Sequence, residues 1–176
     1  PWCGARARPT CACRGGKDGY RDLGLPVGGA NNYPAFTSGP DGHFEIMMPW
    51  ADPAVARGLD ASWREPANVA DLTRLVSHAI ALLPAGGTVL DYGCGVGRAC
   101  VHFHPDRYVG FDTSDAMLAI ARSRFLQYHF LSAPDYFADV VISNSVVQYQ
   151  PPDRWEATLC DIAGRARVAA LIETYD

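Results

Sequence analysis

Apolar residues recur at Val69, Leu72, Leu75, Val76, Ile80 and Leu83, a spacing of three and four that lays one stripe along an α-helix. Ser62-Trp63-Arg64-Glu65 ahead of it has capping-box spacing, and Pro66 suits a first helical turn. Pro84-Ala85-Gly86-Gly87 ends the stripe. Beyond that stop, short apolar runs alternate with polar-interrupted stretches. The pattern predicts strands over residues 88–92, 107–112, 127–131, 139–143 and 167–174. It predicts helices over 98–104, 114–125 and 153–163, the last opened by Pro151-Pro152. Such alternation implies an α/β domain: a Rossmann-like, doubly wound parallel sheet of about five strands with helices on both faces.

The N-terminal part follows neither period. Residues 1–32 are rich in Gly, Pro, Arg and Asn and read as an irregular, extended arm. Two short apolar runs, 33–37 and 43–48, flank Ser38-Gly39-Pro40-Asp41-Gly42 and suggest a β-hairpin. The expected organisation is therefore an arm with a hairpin over 1–59 and a cofactor-binding domain over 60–176.

Composition narrows the class. At 176 residues with 48 % apolar and 19 % charged content, the chain suits one globular domain and excludes wholesale disorder. No apolar run reaches the roughly 18 residues of a membrane-spanning helix. A net charge of -4 disfavours nucleic acid as a partner. Cys3, Cys11 and Cys13 crowd the N-terminus while Cys94, Cys100 and Cys160 are scattered, without the paired C-x-x-C spacing of a zinc site. Free thiols in a reduced, intracellular and cytoplasmic protein are the expectation, with no metal. The acid-free stretch 1–17 leaves organelle targeting open, although it lacks serine. The chain opens on proline, as a processed or excerpted sequence does.

The chemistry concentrates in Val89-Leu90-Asp91-Tyr92-Gly93-Cys94-Gly95-Val96-Gly97-Arg98. A glycine-rich turn between strand and helix lets backbone approach a ligand closely. A dinucleotide fingerprint needs G-x-G-x-x-G, whereas here the glycines fall as G-x-G-x-G and Arg98 takes the place of the last one. Asp91, two residues before the first glycine, repels a pyrophosphate and suits a ligand bearing an ammonium group. Asp112 ends the second strand of the alternating series, 112 − 91 = 21 residues beyond Asp91, where this architecture places a ribose-binding acid. Its alternative role is a cap for the helix at Ser114. His102 and His104 stand two apart, on different helix faces, and make a poor metal pair. His129 alternates with apolar neighbours and reads as a structural histidine.

Together these segments resemble the class I S-adenosylmethionine-dependent methyltransferases. The resemblance rests on VLDYGCGVGR (89–98), YVGFDTSDAMLAIAR (108–122) and ADVVISNSVVQY (138–149), in the family's order, and covers about half the chain. It implies S-adenosyl-L-methionine as cofactor. Gly93, Gly95 and Gly97 would lie under its methionine portion, and Asp91 would orient that loop and meet the amino group. Asp112 would hold the ribose, with Thr113 and Met117 beside the adenine. Ser132 and Ala133 fall where the family contacts the adenine edge, although the acid often found there is missing and Asp135 is its nearest substitute. Ser143 and Asn144 would lie beside the sulfonium, and Tyr149 would be either a general base or packing. Trp63 and Arg64 fall where an arginine sometimes grips the methionine carboxylate.

The resemblance also bears on the acceptor. Base methyltransferases resemble one another in an Asn/Asp-Pro-Pro-aromatic sequence where this chain has Ser143-Asn144-Ser145-Val146. A small molecule or a protein side chain is therefore the expected acceptor. Two departures stand out: Ala163-Gly164-Arg165-Ala166 replaces the usual Lys-Pro-Gly-Gly turn, and no helix and hairpin follow the fifth strand. One sheet edge would then be open. An excerpted chain, the hairpin of 33–48 or a partner chain would each account for it. The open edge sustains an alternative function, a catalytically silent methyltransferase-like structural subunit of a larger assembly.

Overall fold

The structure is a computed structural model that describes residues 36–38, 44–46, 49–62 and 66–174. Two short strands, β1 (Phe36–Ser38) and β2 (Phe44–Ile46), precede two helices, α1 (Pro53–Ser62) and α2 (Pro66–Leu82). Then come β3 (Val89–Tyr92), β4 (Tyr108–Phe111), α3 (Asp115–Arg124), β5 (His129–Leu131), β6 (Ala138–Asn144), α4 (Trp155–Gly164) and β7 (Ala166–Glu173).

The five later strands form one sheet in the order β5-β4-β3-β6-β7, every pair parallel. Strands β3 and β4 are buried on both faces because helices cover both, as parallel crossovers require. On one face Leu72, Leu75, Val76 and Ala79 of α2 pack on Val89, Tyr108, Val140 and Ile142. On the other face Ile162 of α4 packs with Leu90, Val109 and Val141. Strand order reverses at β3, with β4 on one side and β6 on the other. Ligands in open α/β sheets bind beyond the carboxyl ends of the strands at such a reversal.

The expected parallel sheet is present, and several local expectations change. The helix expected over 98–104 is a single 3-10 turn, Cys100–His102. Gly97 and Cys100 donate to carbonyls three residues back, on Cys94 and Gly97, and Pro105 blocks any extension. Helix α1 lies where the sequence pattern predicts only an irregular arm and hairpin. It starts where Asp52 Oδ1 accepts from the Ala54 N–H at 2.7 Å, and it runs across the expected boundary between residues 59 and 60. Arg124 fastens it to α3 with a two-pronged bond to Asp60, at 2.6 and 2.7 Å.

The hairpin is real: Phe36 lies opposite Ile46 in an antiparallel pair. It forms its own two-stranded sheet, so it does not extend either edge of the five-stranded one. His129 is exposed and takes no place in the core. The capping-box residues Trp63, Arg64 and Glu65, the arm 1–32 and its three cysteines lie outside the described residues. Among the described residues the buried Cys94 and Cys100 and the exposed Cys160 are in no disulfide, and no helix is long and apolar enough to cross a membrane.

Candidate active site

The turn after β3 is built by glycine for a local reason. Gly93, Gly95 and Gly97 have φ of 80°, 53° and 81°, a region that costs other residues roughly 1–2 kcal/mol. The turn is tied to the end of β4, because the N–H groups of Gly93 and Cys94 both donate to the Phe111 carbonyl, at 2.7 and 2.8 Å. A Cβ on Gly93 would stand 2.1 Å from Val146 Cγ2, so only glycine lets the segment after β6 close on this turn. Gly97 serves the core instead. A Cβ there would meet the Phe130 ring at 2.9 Å and Ala121 at 3.2 Å.

Asp112 sits just past β4 and holds the turn from the other side. Its Oδ2 accepts from Gly95 N–H and its Oδ1 from Ser114 N–H, both at 2.8 Å. Burial raises its pKa, and backbone donors from Ser114, Gly95 and Thr113 partly offset that rise. Each oxygen keeps a lone pair after these bonds, so the carboxylate can still accept from two hydroxyls of a ligand. The cap for α3 is supplied instead by Ser114, whose Oγ accepts from Met117 N–H at 3.2 Å. Asp112 is thus free of the role that competed with ligand binding.

Asp91 lies behind the turn. It is buried, its Oδ2 accepts from the Tyr108 hydroxyl at 2.6 Å, and desolvation pushes its pKa up to about 6. The Tyr108 bond and the charge of Arg98 restrain that rise, while Asp112 adds to it.

The glycine turn and Asp112 border a cleft enclosing about 790 Å³, solvent-facing mouth included. Gly93, Gly95, Asp112, Thr113 and Met117 line the side next to β4. Asn144, Ser145, Val146, Tyr149 and Gln150 line the side that follows β6, and Trp50, from the segment ahead of α1, touches both sides, packing with Met117 and meeting Tyr149. Trp50 is held through both its backbone and its ring. Its carbonyl accepts from Ser114 Oγ at 2.6 Å, and its ring meets Tyr149 edge-on with centroids 4.7 Å apart. Asn144 Oδ1 accepts from Ser145 Oγ at 2.7 Å, which leaves its Nδ2 buried without a partner.

The cleft therefore gathers seven of the residues singled out by sequence: Gly93, Gly95, Asp112, Thr113, Met117, Asn144 and Tyr149. Five others stand elsewhere. Asp91 and Gly97 support the turn from behind, and Ser143 is fully buried within β6 with its Oγ unbonded. Ser132 and Ala133 are exposed beyond β5 and do not line the cleft, nor does Asp135. Sequence reasoning missed Trp50, Tyr92, Phe111, Ser145, Val146, Gln150 and Thr158, which do. Tyr92 and Phe111 were legible as strand ends beside the two motifs. Trp50 carries no local signal at all.

A parallel sheet with a glycine turn at its reversal point and an acid closing the next strand defines a Rossmann-like nucleoside-binding domain. Residues 62–175 match the family model described as a methyltransferase domain, and the chain belongs to that family. It is 31 % identical over 113 residues to trans-aconitate 2-methyltransferase of Acidovorax sp. (strain JS42), which covers 58 % of this chain and 41 % of the relative. The enzyme of that description from Variovorax paradoxus (strain S110) is 34 % identical over 116 residues, covering 60 % and 42 %. The chain thus spans about two-fifths of the length of these curated relatives. Among solved structures, DesVI of Streptomyces venezuelae superposes with a TM-score of 0.57 at 20 % identity, covering 70 % of this chain and 58 % of that one. CalS10, an amino pentose methyltransferase from Micromonospora echinaspora, gives 0.53 at 20 % identity, covering 70 % and 55 %. These likenesses establish the class I methyltransferase fold.

Proposed function

We propose that the cleft binds S-adenosyl-L-methionine and that the domain transfers its methyl group to a small-molecule acceptor. The observation that carries this reading is Asp112, a carboxylate at the cleft wall whose two oxygens are positioned by Gly95 and Ser114 and still accept from a ribose diol. The site also fits in charge. A cationic ligand gains from the acids Asp91 and Asp112, and a pyrophosphate is repelled by them. CalS10 is described with S-adenosylmethionine bound, which agrees with that choice of ligand.

When bound, the cofactor supplies an electrophilic methyl carbon whose bond to sulfur breaks with the electron pair going to sulfur. The protein's contribution is position and dryness. Gly93 and Gly95 give backbone access, Asp112 holds the ribose, and Thr113 and Met117 flank the base. Asn144 and Tyr149 face the acceptor from the opposite wall. Tyr149 stands at the cleft wall, where it or water would take the proton that an acceptor hydroxyl or amine gives up on methylation. An in-line displacement of this kind demands little else from side chains.

Calorimetric titration of the chain with S-adenosylhomocysteine tests the reading. Micromolar binding is expected, weakened at least about tenfold, or 1.4 kcal/mol, in Asp112→Ala. Circular dichroism of the variant checks that the fold persists after the Gly95 and Ser114 donors lose their acceptor. Unchanged affinity in a folded Asp112→Ala protein, or no binding by the parent chain, overturns the proposal.

A further inference from the structure

The buried acid of the glycine motif, Asp91, is bonded to the phenol of Tyr108. Asp91 stands two residues beyond Val89 on β3, so it faces the same side of the sheet as Val89, Tyr108 and the apolar residues of α2. The Tyr108 ring is fully buried and gripped on three sides. Phe103 stacks on it with centroids 5.8 Å apart, and Tyr128 and Phe130 meet it edge-on at 5.7 and 6.2 Å. Phenylalanine would fill that space equally well. A hydroxyl placed there is costly to bury unless it is bonded, and it donates to Asp91 Oδ2 at 2.6 Å. Burial pushes the phenol's pKa up, so the proton stays on the tyrosine and the carboxylate is the acceptor.

The bond matters because the surroundings otherwise disfavour a charge. Desolvation drives Asp91 towards its neutral form, and the Tyr108 bond is the largest opposing influence, ahead of the charge of Arg98. Asp112 works against the charged form. Cys94 in the turn and Cys100 in the 3-10 segment face the carboxylate as thiols that burial keeps neutral. From α2 the side chains packed on this face are Leu72, Leu75, Val76 and Ala79. The charge of Asp91 is felt at the cleft, since Asp112 on the cleft wall is coupled to it and Gly93, two residues on, also lines the cleft.

We infer that Tyr108 is a positioning residue of the cofactor site: by donating to Asp91 it holds that carboxylate charged beneath the glycine turn, and so sets the negative potential that the ligand's ammonium group meets. The inference rests on the reading of the cleft as an S-adenosylmethionine site. Tyr108 does not line the cleft and acts through Asp91.

Tyr108→Phe in the full 176-residue chain keeps the ring and removes the donor. Carbon NMR titration of the aspartate carboxyls between about pH 5 and 8.5 reads Asp91 directly, assigned by its absence in Asp91→Asn. Its midpoint is expected about one pH unit higher in Tyr108→Phe. Calorimetric affinity for S-adenosylhomocysteine is expected to be about threefold weaker near pH 6.5 and to approach the parent's near pH 8.5. Tyr128→Phe loses a hydroxyl that donates to the Phe103 carbonyl and leaves the bond to Asp91, so it should shift neither. The double variant Asp91→Asn/Tyr108→Phe changes both partners together, and its affinity should equal that of Asp91→Asn alone, which serves even where Tyr108→Phe by itself does not fold. An unmoved Asp91 midpoint in folded Tyr108→Phe overturns the inference. So does a loss of affinity equal at every pH, the mark of a purely structural role, or a further loss in the double variant. A parent chain that binds no S-adenosylhomocysteine at any pH would instead strike the cofactor reading, while the carboxyl titration still judges the Tyr108–Asp91 bond.

Discussion

Replacing Asp91 by Asn isolates the cost of keeping a charge under the glycine turn. The carboxylate is buried, and its pKa is raised from 3.8 to about 6, chiefly by desolvation. A shift of that size corresponds to about 3 kcal/mol between its protonated and charged forms. The folded chain holds this proton more tightly than the unfolded chain does. Stability contributed by the group is therefore greatest below about pH 4, declines as pH rises towards about 6, and is flat above that. Asparagine keeps an oxygen for the Tyr108 hydroxyl and removes the charge. The expected result is a stability difference between Asp91→Asn and the parent that is small near pH 4. It grows to as much as about 3 kcal/mol in favour of the variant near pH 8. Guanidinium unfolding followed by circular dichroism across that range measures it, and taking the difference cancels the other carboxylates. A difference that does not change with pH, or a variant that loses ground as pH rises, would refute the reasoning. The stabilised variant is also expected to bind S-adenosylhomocysteine more weakly, since the ligand's ammonium group loses a nearby negative charge.

Two glycines of one motif should fail differently. Gly97→Ala places a Cβ against Phe130 at a φ of 81°, so it is expected to cost about 2–4 kcal/mol in urea unfolding while the folded protein keeps its affinity for S-adenosylhomocysteine. Gly93→Ala meets Val146 at the cleft itself and should reduce both stability and affinity, so matching behaviour of the two variants would contradict the assigned roles. Arg124→Ala removes both donors of the bond that holds α1 to α3. A loss of about 1–2 kcal/mol and earlier proteolytic cleavage within residues 49–62 are expected, and an unchanged cleavage rate would show that the bond holds nothing.

What could be read from sequence was what depends on local pattern. The alternating apolar runs specify a parallel sheet because strands covered on both faces must be largely apolar, and β3, β4 and β6 are, with Asp91 in β3 and Asp139, Ser143 and Asn144 in β6 as the polar exceptions. Gly93, Gly95 and Asp112 were legible because a close turn and a fixed spacing leave few choices of residue. Contacts made across long separations left no such trace. Nothing near Trp50 announces that Ser114, 64 residues away, will hold it at the cleft. The helix expected over 98–104 failed for the opposite reason. Its local pattern was acceptable, but Gly97 is bound into a core contact with Phe130, and Pro105 leaves no room for a second turn. Ser143 and Asn144 divided according to the two-residue period of β6. Ile142 and Asn144 share one face while Ser143 points into the other, so adjacent residues of one motif meet different surroundings.

The segment after β6 explains why the two walls of the cleft belong to one site. Ser145 adopts a φ of 58°, a left-handed conformation uncommon for a residue other than glycine. Three contacts hold it there: its N–H donates to the Glu173 carbonyl of β7 at 2.8 Å, its hydroxyl donates to Asn144, and Val146 next to it packs on Gly93. The bend fixes the Asn144 amide with its nitrogen unbonded and directs Val146 towards the glycine turn. The two sides of the cleft are thereby set by the same few residues, Gly93 against Val146 and Asn144 against Ser145. A rigid arrangement of this kind suits a displacement reaction, where alignment of two reactants supplies most of the rate.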